Sequence, residues 1–317
     1  MTRKQMTTII KIIVTLLGLA YILINFDINL IINTLTNANW GWVALGFIIM
    51  NISLVVRAYR WYLLLQGLNV TIPFTRLIEL YFIGNFFNAF LPSGFGGDAV
   101  RVIEVAQDTS ADVAAGTVIV DRMTGLMMLF LMALLALPFR PDSFPSQWVQ
   151  VLAITAVIGL LGGFILLDGR LVRLFGSWLP GPLSPVGQTP VAKLLTAVHG
   201  AGWPAIFKAL AVSLGFNLLQ IGWWVTSGLA LSINLPATHY LLASPIMALA
   251  LLIPSISGLG VRETIAPYLF AIAPVTAEQA VTLSLLVFII TRFASLVGAP
   301  IYLWRTINPR ATTKNKE

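Results

Sequence analysis

Charged side chains inside apolar segments are the residues of this sequence that could do chemistry. Four arginines and four carboxylates stand in or beside such segments: Arg101, Arg122, Arg262 and Arg292, with Glu79, Asp98, Asp121 and Glu263. An arginine at the centre of a bilayer costs about 2.5–3.5 kcal/mol on insertion scales, so it must face a cavity, a partner or a substrate. Two interpretations follow. The eight charges close an ion-pair network among themselves, or they line a polar cavity that also binds a phosphate, for which the arginine fork supplies two aligned donors.

Two segments rich in proline and glycine accompany these charges. Residues 91–98 read LPSGFGGD and residues 253–263 read IPSISGLGVRE, and in each an arginine follows the proline by eight or nine positions. Backbone N–H groups outside helices need acceptors at membrane depth, and a phosphate next to a helix N-terminus is a good one. The candidate phosphate contacts are therefore Asn88, Gly96, Gly97, Gly258 and Gly260. The alternative is that the glycines make tight turns and let helices pack closely.

Composition restricts the class of protein. The 317 residues are 58% hydrophobic and 10% charged, with a mean hydropathy of +0.89, whereas soluble domains carry about 25% charged residues. The pI of about 9.9 reflects few acids rather than a basic stripe, so we expect no nucleic-acid partner. Without cysteine and with two histidines, we expect neither a metal site nor a cofactor, and no Walker or dinucleotide motif occurs.

The distribution of apolar stretches predicts an all-α, polytopic membrane helical bundle with about six full spans and two re-entrant or broken-helix hairpins. A crossing helix needs about 20 apolar residues. Six stretches qualify: 8–26, 40–56, 113–137, 148–167, 203–231 and 278–304. Three are too short: 77–91, 241–253 and 264–273. We predict a single membrane domain over 1–317, with halves of about 1–138 and 148–305 and a basic cytoplasmic tail at 305–317.

The positions of lysine and arginine predict the orientation. By the positive-inside rule, both termini lie in the cytoplasm of a multi-pass cell-membrane protein. Residues 77–112 must then enter and leave on the inner face, and residues 241–273 on the outer face. Because the two hairpins enter from opposite sides, the chain is a possible inverted repeat. Arg57, Arg60 and Trp61 are interpreted as boundary residues that snorkel toward headgroups, and His199 and His239 as incidental.

The motifs together resemble one membrane family. The blocks are RxxRW at 57–61, NxxLPSGxGGDxxR at 88–101, DRxxG at 121–125 and PxxxGxGxRE at 254–263. In this order they resemble the flippase-like family, also called the lysylphosphatidylglycerol synthase transmembrane-region family, over roughly 11–304. Asp121 departs from that pattern, which favours glutamate before the arginine. The resemblance implies a membrane protein that handles lipids. The soluble domain that aminoacylates lipid in some relatives has no room after 305, so we expect no lipid aminoacylation.

The leading hypothesis is a lipid flippase that binds and translocates a phosphate-containing lipid or lipid-linked precursor. The arginines would hold the phosphate while acyl chains stay in the bilayer, and transport needs no covalent chemistry, so we do not expect an enzyme. The lipids would be anionic or linked to polyprenyl phosphate. Two alternatives remain. One is a non-transporting membrane partner of a lipid or glycan synthase, and the other is a membrane lipid-phosphate transferase with Asp98 or Glu263 as base.

Overall fold

The computed structural model describes residues 3–90, 96–168, 190–251, 253, 255–256, 258–272 and 274–307, and in these it contains helices and no strand. The helices of the first part are α1 (Arg3–Asn25), α2 (Ile28–Thr36), α3 (Trp40–Gly67), α4 (Phe74–Phe90), α5 (Gly96–Val105), α6 (Ala111–Ala136) and α7 (Ser146–Asp168). Those of the second part are α8 (Pro190–Gly200), α9 (Gly202–Ala230), α10 (Ala237–Ala250), α11 (Val261–Phe270), α12 (Ala277–Leu296) and α13 (Gly298–Ile307). The predicted all-α class is confirmed. The predicted tail beyond 307 lies outside the described residues.

The number of spans agrees with the expectation of about six. Among the described residues, five helical segments are long and apolar enough to cross a membrane, with α12 and α13 counted as one segment. A sixth span results if α1 and α2, which meet at a bend of 95°, are counted together. The second predicted span ended at residue 56, but α3 continues to Gly67. Two arginines that we placed at a membrane boundary are therefore well inside a helix.

The centre of the bundle is an antiparallel pair, α3 and α9. At one end the N–H of Asn39 donates to the carbonyl of Ala230 at 2.8 Å. At the other end Gly67 touches the backbone of Ala201, and a Cβ on Gly67 would fall 2.6 Å from the Ala201 oxygen. Small residues thus let the two backbones approach closely at this end. The pair therefore defines two opposite ends of the bundle, one at Asn39 and Ala230 and the other at Gly67 and Ala201.

Helices α4 and α5 form an antiparallel hairpin, named hairpin 1 (residues 74–105). At its base, Arg76 of the first turn of α4 pairs with Asp108, which follows α5, with Nη1 and Oδ2 2.7 Å apart. Near its tip Gly84 and Gly97 touch, and a Cβ on Gly97 would overlap the Gly84 carbonyl. Because both ends of the hairpin lie together, it returns to the end of the bundle from which it starts. The predicted re-entrant geometry of this segment is confirmed.

Helices α10 and α11 form a second antiparallel hairpin, named hairpin 2 (residues 237–270). His239 of the first turn of α10 makes a hydrogen bond of 2.7 Å through Nε2 with the carbonyl of Leu269 in the last turn of α11. Hairpin 1 follows the end of α3, and hairpin 2 follows the end of α9. Since α3 and α9 are antiparallel, the hairpins enter from opposite ends. The histidine that we treated as incidental is fully buried and closes a hairpin base.

The two hairpins belong to repeated units of four helices. Helices α3 to α6 have 28, 17, 10 and 26 residues, and α9 to α12 have 29, 14, 10 and 20. Contacts between the units are reciprocal: α6 packs on α9 as α12 packs on α3, and α4 contacts α12 as α10 contacts α6. This order, with hairpins entering from opposite ends, is the arrangement of an inverted repeat, as built into many transporters. The predicted halves, 1–138 and 148–305, are wider than these units and stay a prediction.

Candidate functional site

Asp121 lies at the centre of a buried charge cluster near the base of hairpin 1. Its carboxylate is fully buried on α6. One oxygen accepts a hydrogen bond from Nε of Arg60 at 2.7 Å. The other accepts from Nη2 of Arg101 at 3.0 Å and from the hydroxyl of Tyr81. One carboxylate thus connects α3, α4, α5 and α6.

The interpretation of Arg60 and Trp61 as boundary residues is wrong. Arg60 is 2% exposed and Trp61 is fully buried. Besides its bond to Asp121, Arg60 donates to the hydroxyl of Ser213 on α9 at 3.0 Å. Both residues lie inside because α3 continues past them and turns this face toward α6 and α9. The RxxRW spacing carried no sign of the distant carboxylate.

Arg101 of α5 is held by aromatic rings as well as by carboxylates. Its guanidinium carbon lies 4.1 Å from the ring centre of Trp61 and 3.9 Å from that of Tyr81. Its Nη1 donates to Asp98 at 3.3 Å, and Asp98 also pairs with Arg122. The side chain of Arg122 is 37% exposed, so this edge of the cluster is open. The cluster therefore joins three of the predicted site residues, Asp98, Arg101 and Arg122, to Asp121.

Glu79 does not belong to this cluster. Its side chain is 44% exposed and lies 3.9 Å from Arg305 of α13, because it stands in the second turn of α4, near the base of the hairpin. Arg305 also donates to Glu104 of α5 at 2.9 Å. These contacts fasten α13 to the base of hairpin 1. The predicted place of Glu79 in the central network is therefore wrong.

The glycines of hairpin 1 serve packing in the structure. The N–H of Gly97 donates to the side-chain oxygen of Asn88 at 2.8 Å, and the contact with Gly84 leaves no space for a Cβ. Gly96, the first residue of α5, is also buried. Residues 91–95, which contain most of the predicted glycine-rich segment, lie outside the described residues. In the described part, the packing interpretation of Gly97 is the one that the contacts support.

Hairpin 2 has a different local design. Glu263 is fully buried; it accepts from the N–H of Gly260 at 2.8 Å and from the hydroxyl of Ser284 at 3.0 Å. It therefore caps its own helix, and it forms no ion pair within 4 Å with an arginine of the described residues. Gly258 and Gly260 have φ values of +82° and +83°, a conformation that glycine adopts without strain. Gly260 lies against Gly18 of α1, which anchors the tip of the hairpin.

Arg262 and Arg292 lie together beside the tips of the hairpins. Their guanidinium carbons are 5.8 Å and 4.6 Å from the ring centre of Phe288. Arg292 of α12 donates to the carbonyl of Ala89 at the end of α4, so it connects hairpin 1 with the residues around hairpin 2. Within the described ranges no carboxylate lies within 4 Å of either guanidinium. Arg262 is buried and Arg292 is half-buried, and two neighbouring cations that lack an ion-pair partner are unfavourable.

Among the described residues, the buried charges are three arginines and three carboxylates, and three half-buried arginines lie beside them. The buried ones are Arg60, Arg101 and Arg262 with Asp98, Asp121 and Glu263, and the half-buried ones are Arg57, Arg122 and Arg292. The hypothesis of a closed network of four cations and four anions does not fit this arrangement, because Glu79 lies outside it and two further arginines lie within it. The remaining positive charge favours an anionic ligand.

Comparisons with known proteins place the chain in a family. Residues 8–298 match the family described as the lysylphosphatidylglycerol synthase TM region. The UPF0104 membrane protein PH1989 of Pyrococcus horikoshii is 28% identical over 155 residues, which is 47% of this chain and 46% of that protein. The match thus spans less than half of that relative, and no solved structure matches the chain. Since the family match extends over most of the sequence, this multi-pass membrane protein belongs to the lysylphosphatidylglycerol synthase transmembrane-region family.

Proposed function

We propose that this protein is a flippase that binds the phosphate of an anionic or polyprenyl-phosphate-linked lipid and moves it across the cell membrane. The observation that carries the proposal is the pair Arg262 and Arg292. Arg262 is buried and Arg292 is half-buried, both lie over Phe288, and no carboxylate of the described residues lies within 4 Å of either. A lipid phosphate would supply the missing negative charge, and the guanidinium forks would bind its oxygens through paired donors.

The position of this pair supports translocation. Two hairpins that enter from opposite ends bring their tips toward the middle of the bundle, where substrate sites of inverted-repeat transporters lie. Arg292 contacts the tip of hairpin 1 and shares Phe288 with Arg262, which lies in the first turn of the second helix of hairpin 2. A phosphate held here would contact both repeats. Small shifts of one four-helix unit against the other would then expose the bound phosphate to one side of the membrane or the other.

The orientation is part of the proposal. Arg76 and Arg305 lie at the end where hairpin 1 starts, whereas Arg140 follows α6 at the opposite end. By the positive-inside rule, the hairpin 1 end faces the cytoplasm and both termini lie there. Hairpin 2 is then entered from outside.

The family name supports lipid handling, and the local chemistry supports binding without catalysis. The family is named after the transmembrane region of lysylphosphatidylglycerol synthase. Asp98 is paired with Arg101 and Arg122, and Glu263 caps α11, so both carboxylates considered as a transferase base already have partners. We infer that the chain acts on lipids by binding and movement.

Purified protein in liposomes tests this proposal. The panel contains fluorescent phosphatidylglycerol, a labelled polyprenyl phosphate and a labelled ceramide without phosphate, and a membrane-impermeant quencher reports the outward-facing fraction over time. We expect faster movement of the two phosphate-bearing lipids than in protein-free liposomes. The double variant Arg262→Gln, Arg292→Gln should slow them, and Glu79→Gln is the matched control outside the site. If the protein alone moves no lipid, the proposal fails and a role as partner of a synthase is favoured.

A further inference from the structure

We propose that Arg57 forms a second phosphate-binding site, separate from the pair at the hairpin tips. Arg57 lies on α3, one turn before Arg60. Its guanidinium carbon is 5.2 Å from the ring centre of Tyr81 on α4 and 5.3 Å from that of Phe216 on α9. The site is therefore enclosed by three helices, and none of them carries Arg262 or Arg292.

No carboxylate in the part of the chain that the structure describes forms an ion pair within 4 Å with Arg57. Its Nε is buried and has no hydrogen-bond partner. The nearby carboxylate, Asp121, is fully engaged, because one oxygen is bound by Arg60 and the other by Arg101 and Tyr81. The aromatic rings attract the cation but accept no conventional hydrogen bond from its N–H groups. Arg57 thus differs from Arg60, whose charge is neutralised within the protein.

A phosphate matches what this position lacks. A guanidinium presents five N–H donors in a planar fork, and phosphate offers several acceptor oxygens in a matching arrangement. Arg60 and Arg101 add positive charge beside Arg57, so the surroundings favour an anion over a neutral ligand. The phosphate could belong to a lipid headgroup or be free inorganic phosphate, and the chemistry at Arg57 is the same for both.

This inference goes beyond the proposed function because binding at Arg57 requires no translocation. It also predicts a difference in stability between two variants. Removing the charge of the half-buried Arg57, which has no ion pair, should not destabilise the fold, whereas removing the charge of a paired, buried arginine should. Arg57 and Arg60, one turn apart on the same helix, provide the matched pair for a test.

The experiment uses the full-length protein in detergent, with inorganic phosphate and dihexanoyl phosphatidylglycerol as probes in isothermal titration calorimetry. The double variant Arg262→Gln, Arg292→Gln serves as a background because it removes the site at the hairpin tips. The unaltered protein is measured as well, and there the number of phosphates bound per protein distinguishes the two sites. We expect Arg57→Gln to weaken binding by about tenfold or more, the loss of one charge-assisted contact, with an unchanged or higher melting temperature. Arg60→Gln should lower the melting temperature. Loss for the lipid probe alone identifies a headgroup site, and loss for both identifies a site for phosphate itself.

Three results would overturn the inference. These are failure of both probes to bind the unaltered protein, unchanged affinities in Arg57→Gln, and a melting temperature of Arg57→Gln as low as that of Arg60→Gln. The last would show that Arg57 has a structural partner. Binding at Arg57 by a protein that moves no lipid would leave this inference intact while the proposed function fails.

Discussion

Arg76 and Asp108 form an ion pair of 2.7 Å that joins the beginning of α4 to the turn after α5. The pair requires that the chain returns to the end of the bundle at which it entered. With the bond between His239 and Leu269 at the base of hairpin 2, it determines which loops share an end. The two contacts therefore predict which loops a reagent can reach from the same side of the membrane.

Single cysteines in this cysteine-free chain should report the topology. Gln107, exposed in the loop after α5, lies at the hairpin 1 end, and Ser143, exposed in the loop after α6, lies at the opposite end. In intact cells we expect a membrane-impermeant thiol reagent to label Ser143→Cys and not Gln107→Cys, and both after permeabilisation. Equal labelling of the two variants in intact cells would contradict the re-entrant arrangement.

Asp121→Asn should strongly destabilise the protein. The change leaves Arg60 and Arg101 without their shared charge, and breaking a buried ion pair from one side typically costs about 3–5 kcal/mol. Thermal unfolding in detergent measures the effect. Glu79→Gln removes a half-exposed carboxylate and should cost no more than about 1 kcal/mol. Similar melting temperatures for the two variants would show that the cluster contributes little to stability.

Gly97→Ala tests the contact between the two helices of hairpin 1. The added methyl group would overlap the carbonyl of Gly84, which is backbone and cannot swing away, so we expect a loss of about 1–3 kcal/mol or more. Gly162→Ala is the control because a Cβ there meets no atom within 4 Å. The melting temperature of Gly162→Ala should stay the same or rise, since alanine is the better helix former. If Gly97→Ala melts like Gly162→Ala, the helices do not pack as closely as described.

The sequence predicted the membrane class, the hairpins and their opposite entry, because these depend on length, hydropathy and the distribution of basic residues. Each is a property of a segment rather than of a contact. The bilayer determines such properties of a segment, so they can be predicted without knowing which helices the segment contacts.

The partners of individual charges could not be predicted. Arg60 meets Asp121 across α3 and α6, residues far apart in the chain, and the hydrophobic pattern around Arg60 is the same whether it faces lipid or protein. Glu263 was equally ambiguous, since a glutamate three positions after a glycine can cap a helix or pair with a distant arginine. Tyr81 gave no signal, because a tyrosine within an apolar segment is usually a packing residue. For all three residues, the register between neighbouring helices decides which side chains meet, and the sequence does not specify that register.

Lysine substitutions should separate arginines that bind ligand from arginines that hold the fold. Arg262→Lys keeps the positive charge, and within the described residues Nε of Arg262 has no hydrogen-bond partner to lose, so the free energy of unfolding should change by less than about 1 kcal/mol. A lysine cannot bind a phosphate through two aligned donors, so movement of phosphatidylglycerol should slow by about tenfold while movement of the ceramide is unaffected.

Arg101→Lys should behave in the opposite way, because separate nitrogens of Arg101 bind Asp98 and Asp121. One ammonium cannot reproduce both bonds in the same geometry, and the melting temperature should fall first. Proteoliposome transport beside a melting curve for each variant makes the comparison. Full transport and full stability in Arg262→Lys would remove Arg262 from the phosphate site and leave Arg292 and Arg122 as the arginines to test.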